Sequence, residues 1–191
     1  MTPDSSVYLV SLDDMKEYLG LTDTDADRDN QIGYLLTIVS EFANTYTKRT
    51  LREAEHTEWH DGTGSDVLRL DNYPVSAVHS LIIDYVGFDS TEVVETDEYR
   101  LDASRGMVVY EFVWPRGTRN IKAVYTAGYT LSDVPYDLRG AVFEFVAQLW
   151  QRRSEKGWAH ETRQGGDKSV TLLREMPFYA KDVFDRYVRW R

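Results

Sequence analysis

The chain of 191 residues contains no cysteine. Disulfides, zinc–thiolate sites and a cysteine nucleophile are therefore excluded, and the composition suits a reducing compartment. No apolar run approaches the ~20 residues of a membrane-spanning helix, so no membrane partner is expected. The opening MTPDSSVYLVSLDD has no basic stretch followed by an apolar one, so no signal peptide is expected. Bases are also scarce: 22 Lys and Arg stand against 32 Asp and Glu, a formal charge of −10. Tight binding to a nucleic-acid backbone rests on neutralising phosphates with Lys and Arg, and so acidic a surface does not supply it. What the chain does have is 42% apolar residues, enough for a core and for one domain with a sizeable insertion.

The charge is unevenly spread. From Trp150 to the end there are ten bases and six acids, or +4, whereas residues 1–149 hold twelve bases and twenty-six acids, or −14. A basic tail on an acidic body suggests that the tail meets something the body does not.

Between Thr22 and Asn30 an acid stands at every second position: Asp23, Asp25, Asp27 and Asp29. A calcium loop needs glycine at its sixth position and a bidentate Glu at its twelfth. Those positions hold Arg28 and Tyr34 counting from Asp23, and Asn30 and Leu36 counting from Asp25. The acids fit the start of a helix instead, with Asp25 or Asp27 as cap and the others favouring its positive end. Ile32, Leu35, Leu36, Val39, Phe42, Ala43 and Tyr46 follow with a period near 3.6.

The same reasoning places a short helix after the Ser11 cap, stopped at Gly20. A third follows SDVP, with Ser132 or Asp133 as cap and Leu138, Ala141, Val142, Phe145, Val146, Leu149 and Trp150 as its stripe. A last helix follows Pro177, with Phe178, Val183, Phe184, Tyr187 and Trp190 as apolar positions. From 53 to 129 the period becomes two, and VLRL (67–70), AVHSLII (77–83), MVVYEFV (107–113) and NIKAVYT (120–126) read as strands. In the third of these, Val108, Tyr110, Phe112 and Trp114 share a face opposite Met107, Val109 and Val113, which predicts a central strand covered on both sides. The polar stretch 152–170 reads as a long surface loop, with a short strand at 169–173 as an option. The expected fold class is α+β. A small bundle of about four helices (11–19, 26–48, 135–152, 177–189) draws on residues 1–52 and 130–191, and an antiparallel β subdomain (53–129) is inserted in it.

Chemical motifs are wanting. GTGSDV (62–67) has Val67 where a dinucleotide loop needs its third glycine, and GGDKS (165–169) has Asp167 where a phosphate loop needs glycine. His56 and His60 share strand parity but lie about 13 Å apart along an extended strand, too far to chelate one metal. His60 and Asp61 are neighbours whose side chains diverge on a strand. No catalytic, cofactor-binding or metal-binding residue is assigned, and no cofactor is expected.

The order of parts carries more. VSLDDMKEYLGL (10–21), SEFANTYTKRTL (40–51), LDNYPVSAVHSL (70–81), VYTAGYTLSDVPYDLRGAVFEFVAQLWQRR (124–153) and LLREMPFYAKDVFDRYVRWR (172–191) follow one another over nearly the whole chain. This succession resembles the head–tail connector, or adaptor, family of tailed bacteriophages and related gene-transfer particles, in a long form with a β insertion. The resemblance implies a structural virion protein without turnover or cofactor. It implies a homo-oligomeric ring beneath the portal, of about twelve copies if the portal sets the match. The ring would line the channel through which double-stranded DNA passes without specific binding, and would offer a docking surface to a stopper, tail-terminator or other tail protein. Such a protein resides at the head–tail interface of the virion, and in the host cytoplasm during assembly. The basic and aromatic C-terminal segment is the expected portal-binding element: Arg174, Phe178, Tyr179, Arg186, Tyr187, Arg189, Trp190 and Arg191. Packing of that segment on its own bundle is the plainer expectation beside it. The alternatives are a carboxylate-dependent, carbohydrate-active hydrolase and an interaction module unrelated to phage.

Overall fold

A computed structural model describes residues 3–84, 91–152, 160–164, 167–171 and 176–189. The chain forms two compact units: Met1–Thr47 with Val134–Trp190, and Lys48–Asp133. Among the described residues no helix is long and apolar enough to cross a membrane.

The first unit is helical. Helix α1 (Leu12–Tyr18) starts where the Ser11 hydroxyl accepts the Asp14 amide at 3.0 Å. It ends in a left-handed Gly20 (φ 69°), with the Leu21 amide donating to the Lys16 carbonyl and the Gly20 amide to that of Glu17. That pairing closes the last turn, and only glycine adopts the required backbone without strain. Helix α2 (Ala26–Thr47) starts at Asp25, whose Oδ1 accepts the amides of Asp27 and Arg28 at 3.0 and 3.1 Å. Two neighbouring acids are used as well: Asp23 pairs with Arg28 at 2.7 Å and Asp29 with Lys16 of α1 at 2.9 Å. The alternating acids thus cap and brace a helix.

Helix α3 (Tyr136–Arg152) begins directly after Pro135, whose carbonyl accepts the Arg139 amide. Ser132 and Asp133 do not cap it; their side chains bond to Thr130 in a local turn. Helix α4 (Phe178–Tyr187) has Pro177 at its cap position and no side-chain cap. Ile32, Leu36, Val39 and Ala43 of α2, Leu138, Ala141, Val142 and Val146 of α3, and Val183 and Phe184 of α4 are buried. Each such side chain larger than alanine contributes roughly 1.5–3 kcal/mol by leaving water. Arg139 joins α3 to Asp14 of α1 at 2.7 Å, and Tyr18 stacks on Phe143 at 4.9 Å.

The second unit is β. Strands β1 (Ala54–Gly62), β3 (Val75–Asp84), β4 (Thr91–Val93) and β7 (Gly117–Ala127) form an antiparallel sheet in the order β1-β7-β3-β4. Strands β2 (Val67–Arg69), β5 (Tyr99–Asp102) and β6 (Met107–Tyr110) form a second in the order β2-β6-β5. Both sheets feed one core, which includes Leu81, Ile83, Val108, Trp114, Ile121 and Tyr125. The fold is α+β, a four-helix bundle with inserted antiparallel sheets.

Two expectations fail locally. β6 is central in its sheet but ends at Tyr110, not at Val113. The chain bends because Trp114 turns back into the core, donating its amide to Ser65 O at 2.8 Å and its indole N–H to Asp66 O at 3.1 Å. Phe112 and Val113 are left 60% and 59% exposed. The polar stretch between α3 and α4 is also not all loop. It holds an antiparallel hairpin of β8 (His160–Gln164) and β9 (Asp167–Thr171). β9 meets the strand option over 169–171, and residues 172–173 lie outside the described residues.

Candidate docking surface

Helix α4 has two faces. Ala180, Val183 and Phe184, at helical spacing, turn inward and are fully buried. Phe184 meets Tyr46 of α2 with ring centroids 6.2 Å apart. The other face exposes Phe178 (86%) and Tyr179 (43%) at its start. Further along, Lys181 pairs with Asp185 at 2.9 Å and Arg186 with Asp182 at 2.5 Å, each four residues apart. The Tyr46 hydroxyl donates to Asp185 at 2.5 Å; that bond first, and Lys181 second, hold the Asp185 carboxyl below its ordinary range. The Asp182 hydrogen bond raises the Arg186 guanidinium further. These pairs are surface pairs and contribute little each.

The eight expected docking residues therefore separate. Phe178, Tyr179 and Arg186 lie on the outer face. Tyr187 and Arg189 are tied inward: the Tyr187 hydroxyl donates to Asp137 of α3 at 2.7 Å, and the Arg189 amide to Thr47 O at 2.9 Å. Arg174, Trp190 and Arg191 lie outside the described residues. The structure adds Tyr136, 89% exposed in the first turn of α3. A Cβ at Gly140 would stand 3.3 Å from the Tyr179 hydroxyl, and Tyr136 lies one turn before Gly140 on the same face. In the sequence, Tyr136 falls outside the apolar stripe of its helix, and that was the available sign.

A second polar cluster lies in the β unit. Glu58, His60 and Asp71 place possible metal-ligand atoms within 4.8 Å of one another. Glu58 is already saturated, however. Its Oε1 accepts from the Tyr125 hydroxyl at 2.6 Å and Asn72 Nδ2 at 2.9 Å. Its Oε2 faces His60 Nε2 at 3.0 Å and accepts the Asp71 amide at 3.1 Å. Burial by itself would raise the Glu58 pKa; the bonds from His60, Tyr125 and the Asp71 amide overturn that and hold it at about 2. Burial, and then the bond to Glu58, push Tyr125 up. A carboxylate so held has no proton to give at neutral pH and no free lone pair facing a substrate, so the cluster works as a strut and not as an acid–base dyad. Sequence reasoning tested His60 against His56 and Asp61, rejected both pairings, and did not consider Glu58. The alternation His56, Glu58, His60 on one strand face was the signal.

The sequence family described as "Head completion protein" matches residues 8–189. The chain belongs to the head completion protein family. No curated protein matches it. Among solved structures, this head completion protein is similar to a chain of "Neck of empty GTA particle computed with C6 symmetry", with TM-score 0.62 and 21% identity over 96% of this chain and 91% of that one. It is also similar to a chain of "Virion of native gene transfer agent (GTA) particle", with TM-score 0.60 and 21% identity over 100% and 93%. A chain of "Neck of native GTA particle computed with C12 symmetry" gives TM-score 0.58 and 22% identity over 94% and 88%. At these identities the likeness establishes the fold. The family assigns a structural role in the head–tail connection of a phage-like particle.

Proposed function

We propose that this head completion protein forms a ring beneath the portal of a phage-like particle, lines the channel through which DNA leaves, and carries the tail or stopper. The single observation that carries the reading is the family match over residues 8–189, almost the whole chain. The similar neck chains come from particles described with six- and twelve-fold symmetry, which supports about twelve copies here. The −14 charge of residues 1–149 suits a channel wall past which a polyanion slides without counterion-release binding. The helical part (1–52 and 130–191) forms the connector core, and the β part (53–129) is an insertion in its sequence. Portal docking uses the outer face of α4, with Phe178, Tyr179 and Arg186, together with Arg174, Trp190 and Arg191; Tyr187 and Arg189 fix the helix that presents them.

The test is to mix the purified protein with DNA-filled heads that carry portal and to image the vertex. A closed ring on the portal is expected. Isolated monomers on the capsid surface would end the reading.

A further inference from the structure

The loop between β6 and β7 breaks the usual economy of a β unit. Two consecutive large apolar residues, Phe112 and Val113, are 60% and 59% exposed. The exposure is built in. On one side of the pair the Glu111 amide donates to Glu98 O at 2.8 Å. On the other, Trp114 is buried and bonded to Ser65 and Asp66. Phe112 also rests edge-on against buried Tyr110, with ring centroids 5.5 Å apart. The pair thus sits on a short loop clamped at both ends. A clamped apolar tip loses little conformational freedom when it binds, which favours use as an anchor.

The surroundings state what kind of partner fits. Beside the tip, Asp97, Glu98 and Glu111 line one groove, with Arg100 as its one base. The Glu98 carboxylate is held in place there, its Oε2 accepting the Glu95 amide at 2.8 Å. An acidic rim repels a DNA backbone, and an apolar tip has nothing to match on a phosphate surface. It fits a protein that offers an apolar socket flanked by Lys or Arg.

Taking the connector reading above as given, we propose that the Phe112–Val113 tip is the plug by which each copy engages a basic-rimmed apolar socket on the tail-side protein. This gives the β insertion a task separate from the α4 face.

The test uses the full chain and purified tails of the same particle. Native protein should co-sediment with tails. F112S/V113S should retain its circular dichroism and melting temperature, since both side chains are exposed, and should lose about tenfold or more in tail binding. D97K/E111K keeps the apolar pair and reverses the rim; its tail binding should weaken at low salt and should recover, rather than fall, as salt is added. Tail binding by F112S/V113S equal to native overturns the proposal, as does failure of native protein to bind tails at all. A changed oligomeric state in F112S/V113S would make the tip a contact between copies and would overturn it too. Loading onto portal-bearing heads is measured in parallel. Its failure for native protein would strike the connector reading alone, because tail binding is scored without heads.

Discussion

The Tyr125 hydroxyl donates a 2.6 Å hydrogen bond to Glu58 Oε1, from the central strand β7 to its neighbour β1. The same carboxylate holds the turn before β3 through Asn72 and Asp71. Asn72 in turn accepts the Thr50 amide at 2.7 Å and donates its own amide to the Tyr125 hydroxyl at 3.0 Å. Three segments of the β unit thus meet at one charge, and Asn72 ties a fourth, at Thr50, to them.

Glu58→Gln keeps the shape and removes the charge. It should cost about 2–3 kcal/mol, since charge-assisted bonds in a half-buried site are lost together. The pH dependence is specific. The folded carboxyl titrates at about 2, below its ordinary 4.5. Its stabilisation is therefore complete above about pH 4.5 and fades as pH falls towards 2. Urea midpoints of native and Glu58→Gln protein should differ most above that window and converge below it. A constant gap across pH 2–7 would contradict the assignment.

Asp25→Ala should cost about 1 kcal/mol, the usual loss of a helix cap. Asp27→Ala should cost less, because Asp27 accepts no cap bond among those described. Millimolar calcium should leave the melting temperature of native protein unchanged. A calcium-dependent rise that Asp25→Ala abolishes would restore the metal reading.

Helices were legible because their apolar period ran unbroken and their caps stood in place, as at Ser11 and Asp25. The end of β6 was not legible. Period two continues through Phe112 and Trp114, and only the bonds of Trp114 to Ser65 and Asp66, 48 residues away in the latter case, show that the chain turns. The α4 stripe misled at Phe178, whose apolar character says nothing about which way a first-turn residue faces. β9 was half visible, as the apolar end of 169–173, whereas β8 gave no signal because HETRQ is polar on both parities. Glu58 showed its strand face, but its partners Asn72 and Tyr125 lie 14 and 67 residues away, and no local pattern links them.

Gly62→Ala should destabilise the β unit by about 2 kcal/mol or more. A Cβ there would stand 1.7 Å from the Pro115 carbonyl oxygen, a backbone atom that cannot rotate aside. The Gly62 amide also donates to Asn120 Oδ1 at 2.8 Å, and Asn120 Nδ2 to that same Pro115 oxygen at 2.8 Å. Thermal melts should show the loss. A melting temperature equal to native would mean that the loop at Pro115 is free to withdraw.

The two faces of α4 should separate stability from docking. Phe184 is fully buried and meets Tyr46, so Phe184→Ala should cost about 3–5 kcal/mol and lower recruitment to the portal only by lowering the folded fraction. Phe178 is 86% exposed, so Phe178→Ser should leave stability within about 0.5 kcal/mol. If α4 docks by its outer face, that silent change should cut recruitment to DNA-filled heads, and F178S/Y179S should cut it further, because aromatic anchors carry much of an interface's energy. Shortening the chain after Arg186 is a poorer probe. It removes the Tyr187 bond to Asp137 and the Arg189 bond to Thr47, and so mixes the two effects. Native melting with native recruitment in F178S/Y179S would leave α4 as a packed member of the bundle and would move portal docking to another surface.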